Sequence, residues 1–437
     1  MKVFQIVLLV VFGFSILIAI LIFSGVLPGF GTPEGGVGGS VEVWGTVPAP
    51  NMQELLAEFN QTHEKEFSIT YVYKPKASFR TELVEAIARA QGPDLVFLTD
   101  DMILNSKDLI YSIPPANYGE RRFVDNFIPG AQIFVQPDGS IIALPITVDP
   151  LVMYYNRDFF INAGVTKAPS TWAEFILQLP NLNQIDNRRN IIQTGLAMGE
   201  FFNMNNAKET LAAIFMQAGN NIIDYGRFGL ESKLADRPNT YAVPPAEASV
   251  NFFTQFADAT QTTYSWNRSM PNDKEAFVAG MLGTYFGLAS ELNDIRRRNP
   301  NMDLDAVLIP QREATGRKIT KGEVEGLAVL RSSRNMQTAF LVLYTIAEGS
   351  FAGQYANLKS LPPARIDLLN QGISTSGNRY TTTFYNSALI SRSWLDPNPQ
   401  QTEQIFSDMA MSVVTKRQTV SESLSQAHLK LNAILNR

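Results

Sequence analysis

From Val41 onward the chain alternates between short apolar runs and segments whose apolar residues recur at helical spacing. Val41–Trp44 reads as a strand that ends at Gly45-Thr46. Met52, Leu55, Leu56 and Phe59 then mark one face of a helix, and Phe67–Tyr73 alternates as a strand. Phe79, Leu83, Ala86, Ile87 and Ala90 mark a second helix that Gly92-Pro93 breaks. Asp94–Leu98 is a short apolar strand running into Thr99-Asp100-Asp101. Strand–helix–strand–helix–strand predicts an α/β fold with parallel strands. Open parallel sheets bind ligands at the carboxyl ends of their strands, which points to Trp44-Gly45-Thr46 and Thr99-Asp100.

The middle of the chain carries its densest signal, Ile141–Phe175. Ile141, Ile142, Leu144 and Ile146 form an apolar run interrupted by Pro145, and Val148–Tyr155 forms another interrupted by Pro150. Proline donates no ladder hydrogen bond, so both runs are expected at a sheet edge or between domains. Thr171 and Glu174 form a capping box ahead of Trp172, Phe175, Ile176 and Leu179 at helical spacing. Further helices are predicted over Thr210–Gln217, Ala246–Phe256 and Gln337–Ala347, and a strand over Leu304–Pro310. Thr419 and Glu422 cap a last amphipathic helix with Val420, Leu424, Ala427, Leu431 and Leu435 on one face.

With 437 residues there is room for two or three domains. The formal net charge of −5 argues against nucleic acid as a partner. No cysteine is present, which excludes disulfides, thiolate metal sites and a cysteine nucleophile. Two histidines far apart do not make a metal site, and neither a cofactor nor a metal is expected. Phe4–Phe23 is apolar except for Gln5 and Ser15, about 30 Å long as a helix and therefore long enough to cross a bilayer. Lys2 orients that end to the cytoplasm and the bulk of the chain outside. A cleaved signal peptide competes, but no A-x-A-like site follows Phe23. Pro28–Ser40 is a glycine-rich linker.

The motif Ala143-Leu144-Pro145, Asp149, Tyr154-Tyr155-Asn156-Arg157-Asp158, Phe160, Ala163-Gly164-Val165, Pro169, Thr171-Trp172 and Glu174-Phe175 resembles the crossover segment of the sugar-binding extracellular solute-binding proteins of ABC importers. Glu275–Gly280 with Met281–Gly287, Glu323–Leu330 and Ser360–Arg365 resemble further segments of that family, whose usual pocket tryptophan is replaced here by Glu325. The likeness covers essentially all of Val41–Arg437. It implies an α/β, two-lobed periplasmic-binding-protein-like fold with three crossover segments, preceded by an N-terminal transmembrane helix. The segments expected are a membrane anchor over 1–27, a linker over 28–40, lobe one over 41–148 and 310–360, and lobe two over 149–309 and 361–437, with Leu304–Pro310 as the second crossover.

The implied function is that of an extracytoplasmic, membrane-anchored receptor, monomeric and not an enzyme, that delivers a carbohydrate to ABC permease transmembrane subunits. The residues expected at the ligand are Trp44, Thr46, Asp100, Thr147, Asp149, Tyr285, Phe286, Glu325 and Trp394. Their chemistry suits a sugar, with rings to stack on pyranose faces and carboxylates and hydroxyls for its hydroxyl groups. Trp44 and Tyr285 are expected to close on it from opposite lobes, although each aromatic could equally be core. Two other readings are a glycoside-acting enzyme using Asp100 and Asp149, and a ferric-ion-binding variant using Tyr154-Tyr155.

Overall fold

The computed structural model describes residues 39–227, 229–237, 242–313 and 315–436. The expected anchor Phe4–Phe23 and the linker up to residue 38 lie outside them. Among the described residues no helix is long and apolar enough to cross a membrane.

The first three strands are β1 (Gly39–Gly45), β2 (Phe67–Tyr73) and β3 (Leu95–Thr99). They pair in parallel, as the alternation predicts, and the structure sets their order as β2-β1-β3. Between them run the helices Ala49–Thr62, buried through Met52, Leu56 and Phe59, and Phe79–Ala88, buried through Phe79 and Leu83. β4 (Leu144–Asn156) is thirteen residues long and joins two bodies. Its first half pairs antiparallel with β7 (Thr320–Val329), and its second half with β5 (Thr284–Leu288) and β6 (Leu304–Leu308). β7 also pairs antiparallel with β3, and at its start in parallel with β8 (Ser391–Arg392). These eight strands form one sheet.

Two separate hydrophobic cores lie along that sheet. One gathers Val41, Val43, Phe97, Leu98, Leu144, Leu327 and Leu343. The other gathers Met153, Tyr154, Phe175, Phe215, Tyr285, Phe286 and Phe406. They mark the two expected lobes. Alongside β4 and β7, residues 362–364 make the third passage between them. The Val148 N–H donates to Pro362 O at 3.0 Å, and the Ala364 N–H donates to Ile146 O at 2.9 Å.

The prolines of β4 are therefore not at a sheet edge. Pro145 sits where the β4–β7 register shifts between Glu325 and Gly326, so its missing donor falls at an irregularity of the ladder. The second passage also differs from expectation. Leu304–Leu308 stays in lobe two against Val152–Asn156, and the crossing strand is β7. The chain remains with lobe two after residue 310, because the Gln217 side chain donates to Pro310 O at 3.1 Å and to Ile319 O at 3.0 Å. Residues 361–395 likewise divide, with Leu369 and Ala388 in the first core and Phe384 and Trp394 in the second.

Both predicted helix starts are capped, at Trp172–Leu182 and Val420–Leu435, but only the second has the full capping box. Thr419 and Glu422 serve each other's backbone N–H groups. Thr171 caps Glu174, whose carboxylate reaches one residue further back, to Ser170.

Candidate ligand cleft at the hinge

Where β3, β7 and β4 run side by side, alternate residues share a face. Thr99, Glu325 and Thr147 are cross-strand neighbours, and Glu323 and Asp149 form the next pair along. Together they floor a cavity of about 340 Å³ between the lobes. Lobe one adds Thr46, Val47, Pro48 and Asn51 beyond the end of β1, and Lys359 at the end of the helix Phe351–Lys359. Lobe two adds Ser290 from the turn after β5. Its lining combines hydroxyls and carboxylates with the apolar Val47, Pro48, Leu358 and Leu361, and contains no aromatic ring.

Thr46, Thr147, Asp149 and Glu325 of the expected site residues meet in this cavity. Glu325 is satisfied by its surroundings. One of its oxygens accepts from Lys359 Nζ at 2.7 Å, the Tyr355 hydroxyl at 3.1 Å and the Thr147 hydroxyl at 3.2 Å. Asp100 stands beside the cavity, buried and ion-paired to Lys321 Nζ at 2.9 Å, with the Ser393 hydroxyl also donating to it. Burial alone would lower the pKa of Lys321, but Asp100 and Glu323 outweigh it and hold the ammonium above its ordinary range.

Asp149 and Glu323 differ. Asp149 accepts a hydrogen bond from the Ser290 N–H at 3.0 Å. Burial, and then the facing Glu323, push its carboxyl up to about 7. Glu323 is also raised, by burial first, with Lys321 only partly offsetting it.

The four expected aromatics are placed elsewhere. The Trp44 indole N–H donates to Glu42 Oε1 at 2.5 Å, and its ring meets Phe79 edge-on at 6.5 Å with the Lys74 ammonium 4.2 Å from the ring centre. Tyr285 is 1% exposed. Its ring stacks between Tyr154 at 6.3 Å and Phe277 at 5.9 Å, and its hydroxyl donates to Glu291 Oε2 at 2.7 Å. Phe286 packs on Trp172 at 5.6 Å. Trp394 stacks on Phe406 at 6.0 Å and lines a second groove between the lobes, with Gln132, Tyr225, Arg317 and Arg392. The expected two-sided clamp of Trp44 and Tyr285 is not assembled. Both rings belong to strands, where a shift of one residue reverses the face, and theirs turn into the lobes.

Glu323, Ser290 and Lys359 were not among the expected residues. Lys321, Glu323 and Glu325 alternate as polar positions along β7, a period-two signal that was available in the sequence.

Among the described residues neither alternative chemistry is assembled. The Tyr154 hydroxyl donates to Leu288 O at 2.9 Å and the Tyr155 hydroxyl to Asp305 Oδ2 at 3.3 Å, so the pair does not converge on an ion. Among the described residues no group of three or more His, Cys, Asp or Glu is arranged to hold a metal. Asp100, the proposed partner of Asp149 in hydrolysis, is committed to Lys321.

Comparison with known proteins agrees with this architecture. The cyclo/maltodextrin-binding protein crystallised with maltotetraose superimposes with a TM-score of 0.72, at 15% identity, over 92% of this chain and 98% of that one. The sugar-binding protein MalE of Xanthomonas citri gives 0.71 at 16% identity, over 91% and 97%. Among curated sequences, a putative binding protein of Brucella abortus is 20% identical over 244 residues, 55% of this chain and 54% of its own length. The sn-glycerol-3-phosphate-binding periplasmic protein UgpB of Brucella abortus is 26% identical over 137 residues, 28% of this chain and 30% of its own. The matches thus span about half the length of the first of these relatives and less of the second. The profile of the bacterial extracellular solute-binding proteins matches residues 45–343, more than half of the chain. The chain belongs to that family, whose members are binding proteins of transport systems and not enzymes.

Proposed function

We propose that this protein is the receptor of an ABC importer that takes a carbohydrate into the hinge cavity and presents it to the permease subunits. The observation carrying this reading is the cavity itself. It is floored by the strands that connect the lobes, walled by residues of both, and lined by hydroxyls and carboxylates suited to sugar hydroxyl groups. The ligand residues are then Thr46, Thr99, Thr147, Asp149, Ser290, Glu323 and Glu325, with Asp100 and Lys321 holding the floor.

A ligand touching both lobes favours the closed arrangement by its differential affinity for it. Closure would present one docking surface to the permease. The receptor is expected to act as a monomer held at the outer membrane face by Phe4–Phe23. The maltodextrin-binding neighbours support the sugar class, whereas the glycerol-phosphate-binding relative would bring an anion to a cavity that already holds carboxylates.

Isothermal calorimetry against neutral and charged mono- and oligosaccharides tests the reading, with saturable binding to at least one of them expected. The lobes should close on that ligand, reducing the radius of gyration in small-angle scattering. Binding with no compaction would mean a rigid receptor, and no sugar binding at all would remove the carbohydrate assignment.

A further inference from the structure

Asp149 and Glu323 are direct cross-strand partners in the β4–β7 ladder, where both strands pass between the lobes. Like charges facing each other in an antiparallel pair destabilise the sheet. Neither carboxylate is in an ion pair among the described residues. Asp149 is only 8% exposed, lines the cavity and takes its hydrogen bonding from Ser290 alone.

The nearby cations are committed elsewhere. Lys321 is held by Asp100, Lys359 by Glu325 at 2.7 Å and Lys76 by Asp101 at 3.2 Å. Lys208 is held by Asp396 at 3.0 Å and Lys274 by Glu291 at 2.8 Å. Lys321 and Lys76 still act on Glu323 through space, and the other charges that act on the pair are acidic. Glu291 acts on Asp149, while Glu209 of lobe two and Asp100 act on Glu323. Among the described residues the pair thus has no cation in contact, with Lys321 and Lys76 offsetting Glu323 only in part, and closure onto a neutral ligand would bury its charge further.

Resting on the receptor reading above, we propose that the ligand of this cleft is an amino sugar, its hydroxyls bound by the threonines and Glu325 and its ammonium seated between Asp149 and Glu323. A bare metal ion is a poorer fit, because among the described residues no cluster of three or more ligating groups converges. An anionic sugar would meet uncompensated like charge.

The seat also predicts proton linkage. With Asp149 raised to about 7 in the empty cleft, part of the population is protonated at neutral pH, and an incoming ammonium expels that proton. Affinity for the amine therefore rises from pH 6 towards pH 7 as the carboxylate ionises. It falls again towards pH 8 as the amine, with a pKa in the range of an α-amino group, gives up its own proton.

The experiment is calorimetry on the full chain with matched probes: glucosamine, galactosamine and the β-1,4 disaccharide of glucosamine, against their N-acetylated forms and maltotriose. At least one amine is expected to bind about ten- to a hundredfold more tightly than its acetylated twin, the range of one hydrogen bond to a charged group. Binding should release protons, seen as a dependence of the heat on buffer ionisation enthalpy. Asp149→Asn should abolish both the preference and the release, with Glu323→Gln as the second variant and the melting temperature as the check on folding. An acetylated or neutral sugar that binds as tightly as the amines, and equally to both variants, overturns the amino-sugar inference while the receptor reading stands. Calcium chloride alone reproducing the effect overturns it in favour of a metal. If none of these sugars binds, the carbohydrate reading falls and the inference falls with it.

Discussion

Tyr285 in the interior of lobe two and Asp149 on the floor between the lobes are both buried, yet their surroundings are built in opposite ways. Tyr285 stacks between two rings, and its hydroxyl has both a carboxylate acceptor in Glu291 and an amide donor in Asn206. Asp149 has a backbone N–H and a facing glutamate. Buried polar groups are ordinarily paired, because an unpaired one forfeits its hydration without return. Satisfaction, more than burial, separates the structural region from the proposed binding region. The same contrast runs within the cleft, where Asp100 and Glu325 have lysines and Asp149 and Glu323 have none in contact.

The largest effects should come from breaking what is satisfied. Tyr285→Ala should cost about 3–5 kcal/mol of stability, read by denaturant unfolding, while the folded fraction binds ligand normally. A folded, weakly binding Tyr285→Ala protein would return this residue to the ligand site.

Lys321→Met, which leaves Asp100 buried without its cation, should cost about 3–5 kcal/mol of stability, read by denaturant unfolding. An equal loss in the double variant Lys321→Met with Asp100→Asn would mean that Lys321 acts through packing and not through the ion pair.

Removing what is unsatisfied should do the reverse. The folded-state pKa of Asp149 lies above its ordinary value of 3.8, at about 7, so the folded protein holds the proton more tightly than the unfolded chain. Its contribution is unpenalised below the ordinary value and becomes a cost as pH rises towards 7, so stability falls across that window. Asp149→Asn should therefore stabilise the empty receptor at pH 8, by on the order of 2–4 kcal/mol, and leave it nearly unchanged at pH 4. A destabilised Asn variant at pH 8 would show that the carboxylate is satisfied and would erase the contrast.

The smallest effect belongs to the exposed Arg89–Glu85 pair, 3.1 Å apart at the C-terminal end of the helix Phe79–Ala88. Arg89→Ala should move the melting curve by less than about 0.5 kcal/mol.

How much of this was legible in the chain follows from the range of the forces involved. The parallel strands β1–β3, the helices between them and the caps at Thr171 and Thr419 depend on neighbours within a few residues, so pattern alone predicted them. Thr46, Thr147, Asp149 and Glu325 could be singled out because they follow strand ends or sit in a motif with a known relation to the cleft. The aromatics could not be assigned in this way. An apolar ring on a strand has the same local signal whether it faces ligand or core, and only the packing of Phe79 on Trp44 and of Phe277 on Tyr285 decides between them. The second crossover was misplaced for a similar reason, since Leu304–Leu308 and Thr320–Val329 both read as extended chain. What separates them is pairing with β4, on its lobe-two half or its lobe-one half. The opposition of Asp149 and Glu323, 174 positions apart in the chain, exists only once that register is set. Local sequence determines which elements form, whereas the charge balance of a site depends on residues that long-range pairing brings together.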